Sequence, residues 1–192
     1  MEFNVVAGLP LIDTIKHLNA SGDRVHTIQA VLSGTLNYVF NNYDGKNTFK
    51  EVVQNAHALG FTEPDPKIDL SGIDVVRKIL ILARESGYQL DLSDVTNNAF
   101  LSDETLSTKD NDAFFDSLEK FEEHFKVLVQ NAHEKNCRLK YVAQFKDGKA
   151  SVGLKEIPTD HPFYNLEGSD NIVLFYTDRY PSQPLQIKGA GA

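Results

Sequence analysis

Between Leu59 and Lys78 the chain reads LGFTEPDPKIDLSGIDVVRK, which places four carboxylates (Glu63, Asp65, Asp69 and Asp74) and two lysines (Lys67 and Lys78) around two prolines, just ahead of an apolar run. A carboxylate and an amine on one side of a helix, next to a stiff acidic loop, can hold a substrate ammonium and deliver a proton to a reacting oxygen. Pro64 and Pro66 restrict the backbone, so no regular element is expected through Glu63, Asp65 and Lys67. Ser71 is the expected N-cap of the next helix, with Asp74 completing a Ser-x-x-Asp capping arrangement. That helix takes in Val75, Val76, Ile79, Leu80, Ile81, Leu82 and Ala83 and ends near Gly87. Its apolar residues surround most of the axis, which predicts burial. Asp74 and Lys78, spaced i,i+4, share one side of it. Residue types alone leave a plainer reading open, in which Asp74 caps the helix and pairs with Lys78 while Glu63, Asp65 and Asp69 lie in a solvated turn.

The elements that must position this stretch follow from periodicity. Pro10 suits the first turn of a helix running to about Asn19. Residues 24–32, RVHTIQAVL, form a strand, and the Ser33-Gly34-Thr35 turn after it opens a short helix through Leu36, Tyr38, Val39 and Phe40. Such a turn lets a ligand approach backbone N–H groups, and it also serves as a plain connection. Thr48-x-x-Glu51 is a capping box for a helix from Phe49 to Leu59, closed by Gly60. Asp91 to Ser107 is mixed loop and short elements. Phe114, Leu118, Phe121, Phe125, Leu128 and Ala132 predict one long amphipathic helix over Asp112–Asn136. Then the period changes to two: Leu139 to Phe145 and Ala150 to Ile157 form a hairpin about Lys146-Asp147-Gly148-Lys149, and strands follow at Asn171–Thr177 and Leu185–Lys188. The expectation is an α+β fold, a mostly antiparallel or mixed sheet with helices packed on one face.

The chain has 192 residues, 41% hydrophobic and 24% charged, which suits one globular domain over residues 1–192. A formal net charge of -8 argues against nucleic acid and against anionic membranes as partners. One cysteine, Cys137, excludes an internal disulfide framework and fits a reducing cytoplasm. No stretch reaches the roughly 20 apolar residues of a membrane span. The six histidines (His17, His26, His57, His124, His133 and His161) form no i,i+3 or i,i+4 pair, so zinc spacing is absent. No P-loop or Gly-x-Ser-x-Gly elbow occurs. No Gly-x-Gly-x-x-Gly follows a strand, so a dinucleotide-binding Rossmann half is expected to be absent from this chain.

GFTEPDP and DLSGIDVVRKILILAR, with AGLPLIDTI, LSGTLNYVFN and the final PLQIKGAGA in the same order, resemble the homoserine dehydrogenases over residues 2–192, most closely the dehydrogenase part of bifunctional aspartokinase–homoserine dehydrogenases. The resemblance implies a catalytic and dimerisation domain of a longer enzyme that interconverts L-homoserine and L-aspartate 4-semialdehyde with NAD or NADP, in threonine and methionine biosynthesis. By position it makes Lys78 the proton donor beside Asp74, sets Glu63 against the substrate amino group, and adds Asp69 and Asp74 as further polar contacts. Ser33, Gly34 and Thr35 are then near the nicotinamide, and the turn at Gly189 and Gly191 touches the dinucleotide. A monovalent cation such as Na+ would be held by the Glu2 side chain and the backbone carbonyls of Val5, Ala7 and Leu9. The sequence departs from the family at Val6, where glycine is usual, at Ile68, where an aspartate is common, and at Phe61, where tyrosine is common. A second substrate lysine belongs to the nucleotide-binding half, so the isolated chain is expected to be inactive. A homodimer is expected from the apolar surface of Tyr141, Phe145 and Ile172–Phe175. The alternative from a different class is a non-catalytic dimerisation or regulatory module of a larger chain; a third is a free-standing amino-acid-binding domain.

Overall fold

A computed structural model describes residues 5–191. Six strands, β1 (Val25–Val31), β2 (Val95–Asn98), β3 (Arg138–Lys146), β4 (Lys149–Ile157), β5 (Asn171–Thr177) and β6 (Leu185–Gly189), form one sheet in the order β2-β4-β3-β1-β5-β6. Only the β2–β4 pair is parallel. The β3–β4 turn has both Asp147 (φ 49°) and Gly148 (φ 79°) in the left-handed region, the pairing that a two-residue hairpin needs to match strand twist. Side chains alternate across the pleat: Leu139, Tyr141, Ala143 and Phe145 enter the main core under the helices, while Val142 turns to the opposite face. There it joins Val31, Ile157, Ile172 and Leu174 beneath Phe163 and Leu166 of the 158–170 connection.

The helices are α1 (Leu11–Ala20), α2 (Gly34–Asn42), α3 (Phe49–Ala58), α4 (Pro66–Leu70), α5 (Ile73–Glu85), α6 (Asp103–Leu106), α7 (Asn111–Leu118) and α8 (Glu122–Glu134). Thr48 and Glu51 complete the expected capping box of α3. Four expectations are corrected. The proline stretch is not wholly irregular, because Pro66 occupies the first turn of α4, where its missing N–H costs nothing, and Asp65 caps it by accepting from Lys67 N at 3.0 Å. Ser71 is not the N-cap of α5; Gly72 is, at φ 71°, and Asp74 makes no capping bond. Nor is α5 apolar all round, since Asp74, Arg77 and Arg84 form an exposed stripe. Finally, the long helix over Asp112–Asn136 is broken by a 3₁₀ turn at Glu119–Phe121. The break frees α8 to begin with Glu122, whose carboxylate accepts from Phe49 N (2.6 Å) and Tyr43 Oη (3.1 Å), so it neutralises the N-terminus of α3.

Gly72 is fixed by more than its φ. A Cβ there would overlap the Tyr141 hydroxyl, which donates to Asn97 Oδ1 (3.2 Å), and Asn97 Nδ2 in turn donates to Ser71 O (3.2 Å). Left-handed strain and overlap act together, so Gly72→Ala is expected to lower stability by about 2–4 kcal/mol. Urea unfolding checks this, and a loss below about 1 kcal/mol contradicts it.

Candidate active site

The acidic loop is held by its backbone. Gly60 (φ 76°) ends α3 by donating to His57 O, and Phe61 N returns to Ala56 O at 2.9 Å. The hydroxyl of Thr35, in the first turn of α2, contacts both Phe61 O and Asp69 Oδ1, the latter at 3.0 Å. The other oxygen of Asp69 accepts from Glu63 N at 2.8 Å. Burial pushes the Asp69 carboxyl above the usual carboxylate range, against the pull of the bonds from Glu63 N and Thr35. One hydroxyl proton cannot serve both acceptors of Thr35 at once. The Glu63 side chain is left exposed at the loop surface. From the far side Asn111 Nδ2 donates to Pro64 O (2.9 Å) and Lys67 Nζ to Thr108 O (3.0 Å). The Phe61 ring stacks on Tyr38 with centroids 4.3 Å apart.

Lys78 extends from α5 toward the end of β1. Its Nζ lies 2.7 Å from Asp74 Oδ2 and donates to Leu32 O at 3.1 Å. The Lys78 side chain is 20% exposed and that of Asp74 54%. Leu32 immediately precedes Ser33, whose hydroxyl accepts from Leu36 N and caps α2. One ammonium therefore sits beside the Ser33–Thr35 turn, and that turn is tied through Thr35 to Asp69 and Glu63.

The same end of the sheet gathers the terminal glycines. Asn171 pairs with Gly189 and its amide donates to Val31 O at 3.0 Å. A Cβ on Gly191 would overlap Asn171 Oδ1 and approach Val6 within 2.7 Å; one on Gly189 would stand 3.1 Å from Leu9 Cδ2. Val6 adopts φ 56°, a conformation suited to glycine, and its carbonyl accepts from Leu9 N (2.9 Å), while Leu9 O accepts from Leu11 N (2.8 Å). Val5 is buried and Ala7 exposed; Glu2 lies outside the described residues. Among the described residues no cluster of His, Cys, Asp and Glu has metal-binding geometry. Asp65 takes no place beside Lys78, since its carboxylate serves Lys67 N and Lys67 Nζ (3.6 Å).

A family profile described as homoserine dehydrogenase matches residues 10–192. The chain belongs to the homoserine dehydrogenase family. It is 44% identical to a chloroplastic bifunctional aspartokinase/homoserine dehydrogenase of Zea mays and 37% identical to a homoserine dehydrogenase of Schizosaccharomyces pombe, aligned in both cases over 100% of this chain. It spans 21% of the first relative's length and 53% of the second's. A solved Candida auris protein of unknown function superposes with TM-score 0.91 at 38% identity, covering 98% of this chain and 54% of that one. A homoserine dehydrogenase from Thiobacillus denitrificans shares the fold, with TM-score 0.75 at 23% identity over 96% of this chain and 39% of its own.

Within this homoserine dehydrogenase fold, one residue beneath the site gave no sequence signal. Lys140 has no exposed surface, yet among the described residues it makes no ion pair. Its Nζ donates to Asn37 Oδ1 (2.9 Å), Asn41 Oδ1 (2.5 Å) and Leu166 O (2.6 Å). The two asparagines donate onward to the carbonyls of Leu166, Glu167, Gly168 and Asp170. This fastens the 166–170 loop against α2, where Ser169 O would lie 2.8 Å from a Cβ on Gly34. Three acceptors need three N–H donors, which only the ammonium has. Burial, followed by the charge of Arg138, nevertheless pushes Lys140 down to about 8 from its ordinary 10.5. Below pH 8 folded and unfolded chains both carry this proton; between about 8 and 10.5 the unfolded chain binds more of it, so stability gains a rising component over that window. Lys140→Met removes the component and orphans three oxygens, an expected loss of about 2–4 kcal/mol at pH 7. Denaturant unfolding of both proteins from pH 7 to 10.5 checks both points: the gap must widen with pH, and a constant gap contradicts it.

Proposed function

We propose that this chain is the catalytic and dimerisation domain, residues 1–192, of a longer homoserine dehydrogenase that interconverts L-homoserine and L-aspartate 4-semialdehyde. The observation that carries the reading is the Lys78 ammonium, paired to Asp74 and bonded to Leu32 O, next to the Ser33–Thr35 turn and the acidic loop that presents Glu63. Glu63 binds the substrate ammonium; Asp69 and Asp74 complete the polar wall. Lys78 gives a proton to the carbonyl oxygen as negative charge builds on it, and takes it back in the oxidation of the alcohol. Asp74 keeps the ammonium oriented. A bound NADP or NAD supplies or accepts the hydride. Half-exposed Ser33, Gly34, Gly189 and Gly191 lie at one sheet end and suit one wall of a dinucleotide site, the rest belonging to the nucleotide-binding part of the longer protein. A monovalent cation held by Glu2 and the carbonyls of Val5, Ala7 and Leu9 fits the hard, nearly neutral oxygen donors of that segment. Among the described residues no helix is long and apolar enough to cross a membrane. We place the protein in the cytoplasm, in keeping with its single free cysteine.

Homodimerisation needs a different warrant from the one read in the sequence, because Tyr141, Phe145 and Ile172–Phe175 are all covered within the chain. The helix-free face supplies it. Gln29 and Gln144 face each other across β1 and β3, and with Thr27, Lys146, Ser151 and Tyr176 they line two shallow hollows that a second copy would cover. Light scattering at micromolar concentration is expected to give twice the 21.5 kDa chain mass; the monomer mass contradicts it.

In the full-length protein Lys78→Ala is expected to lower kcat about 10²- to 10⁴-fold with a much smaller change in KM. Glu63→Gln is expected to raise KM for homoserine most. With Asp74 more than half exposed, unpairing it costs no more than about 1 kcal/mol, so the Lys78 variant stays folded. Steady-state kinetics on variants of matched thermal unfolding decide this: kcat retained within about threefold in Lys78→Ala makes the lysine a structural partner of Asp74 only.

A further inference from the structure

We infer that His57 is a positioning residue for the substrate-ammonium contact, acting through Thr62 on Glu63; this rests on the homoserine reading above. His57 occupies the last turn of α3, and its Nδ1 lies 2.8 Å from Thr62 Oγ1. That hydroxyl donates to Glu63 O, also at 2.8 Å, so its single proton is committed. His57 must then be the donor at Nδ1, an arrangement open to the Nδ1–H tautomer and to the imidazolium alike. The ring is set by the helix that carries it and by Phe115, 5.9 Å away between centroids. Glu63 is thereby gripped at both ends of its backbone, at its N–H by Asp69 Oδ2 and at its carbonyl by the chain from His57 through Thr62. Its own carboxylate is exposed and makes no hydrogen bond or ion pair among the described residues, so it is aimed through its backbone.

A contact of this kind acts on ground-state binding. Losing one neutral hydrogen bond that aims the carboxylate corresponds to about a three- to tenfold weaker substrate contact. In the full-length protein, His57→Leu, which keeps apolar bulk against Phe115, is expected to raise KM for homoserine about three- to tenfold, with kcat and the KM for the dinucleotide within twofold. His57→Asn, whose amide can stand in for Nδ1–H, is expected to restore KM to within twofold. Thr62→Val should reproduce the leucine variant, and the double variant should add nothing further, since the two residues form one chain. An unchanged KM in His57→Leu, an equal loss in kcat, failure of the asparagine rescue, or additive effects in the double variant would each overturn the inference. Amide hydrogen exchange on the same full-length variants gives a readout without turnover: the Glu63 N–H should exchange about three- to tenfold faster in His57→Leu than in the parent, while the α5 amides stay unchanged. A parent that does not oxidise homoserine defeats the functional reading, and the exchange rate then decides the positioning contact by itself.

Discussion

The site depends on where one ammonium is held. Lys78 has an anionic oxygen of Asp74 on its own helix and a neutral backbone oxygen of Leu32 at the end of a central strand. The first keeps the charge; the second fixes the place. Because β1 lies at the middle of the sheet and α5 packs its Val75, Val76, Ile79 and Leu82 side into the main core, the lysine joins a central strand to a helix set into the core. The pair is not deeply buried, so it adds little to stability, and its value lies in orientation.

Around that point the chain aims side chains by restraining backbone. Thr35 and Asp69 tie the turn after β1 to the acidic loop, Asn111 and Lys67 brace the loop from the opposite side, and Lys140 fastens the 166–170 loop under Gly34. Each of these groups spends its hydrogen bonds on protein atoms, which leaves Glu63 facing outward. The site is thus framed by hydrogen-bonded polar groups, and the exposed Glu63 carboxylate stands at its rim.

Local signals were legible in the sequence. The Thr48–Glu51 capping box, the Asp147-Gly148 hairpin and the period-two strands depend on neighbours a few residues apart, and all three form where expected. The fold class and family followed from them and from the spaced motifs. What was misread depends on distant partners. Ser71 looks like an N-cap until Tyr141 and Asn97 fill the space that only Gly72 leaves open. The Asp112–Asn136 pattern looks continuous, and the break at Glu119–Phe121 is paired with the contacts of Glu122 to Tyr43 and Phe49. Lys140 sits in an alternating strand among apolar residues, and its three acceptors come from α2 and a loop that no periodicity links to it. Within the site, the pairing of Asp74 with Lys78 was readable from i,i+4 spacing, whereas the backbone grip on Glu63 was not.

The most direct test is a crystal structure of the full-length protein with homoserine bound. The proposed roles of Lys78 and Glu63 require the substrate hydroxyl within about 3.2 Å of Lys78 Nζ and the ammonium within hydrogen-bonding distance of the Glu63 carboxylate. Homoserine bound with its hydroxyl turned away from Lys78, or seated elsewhere on the chain, would contradict it.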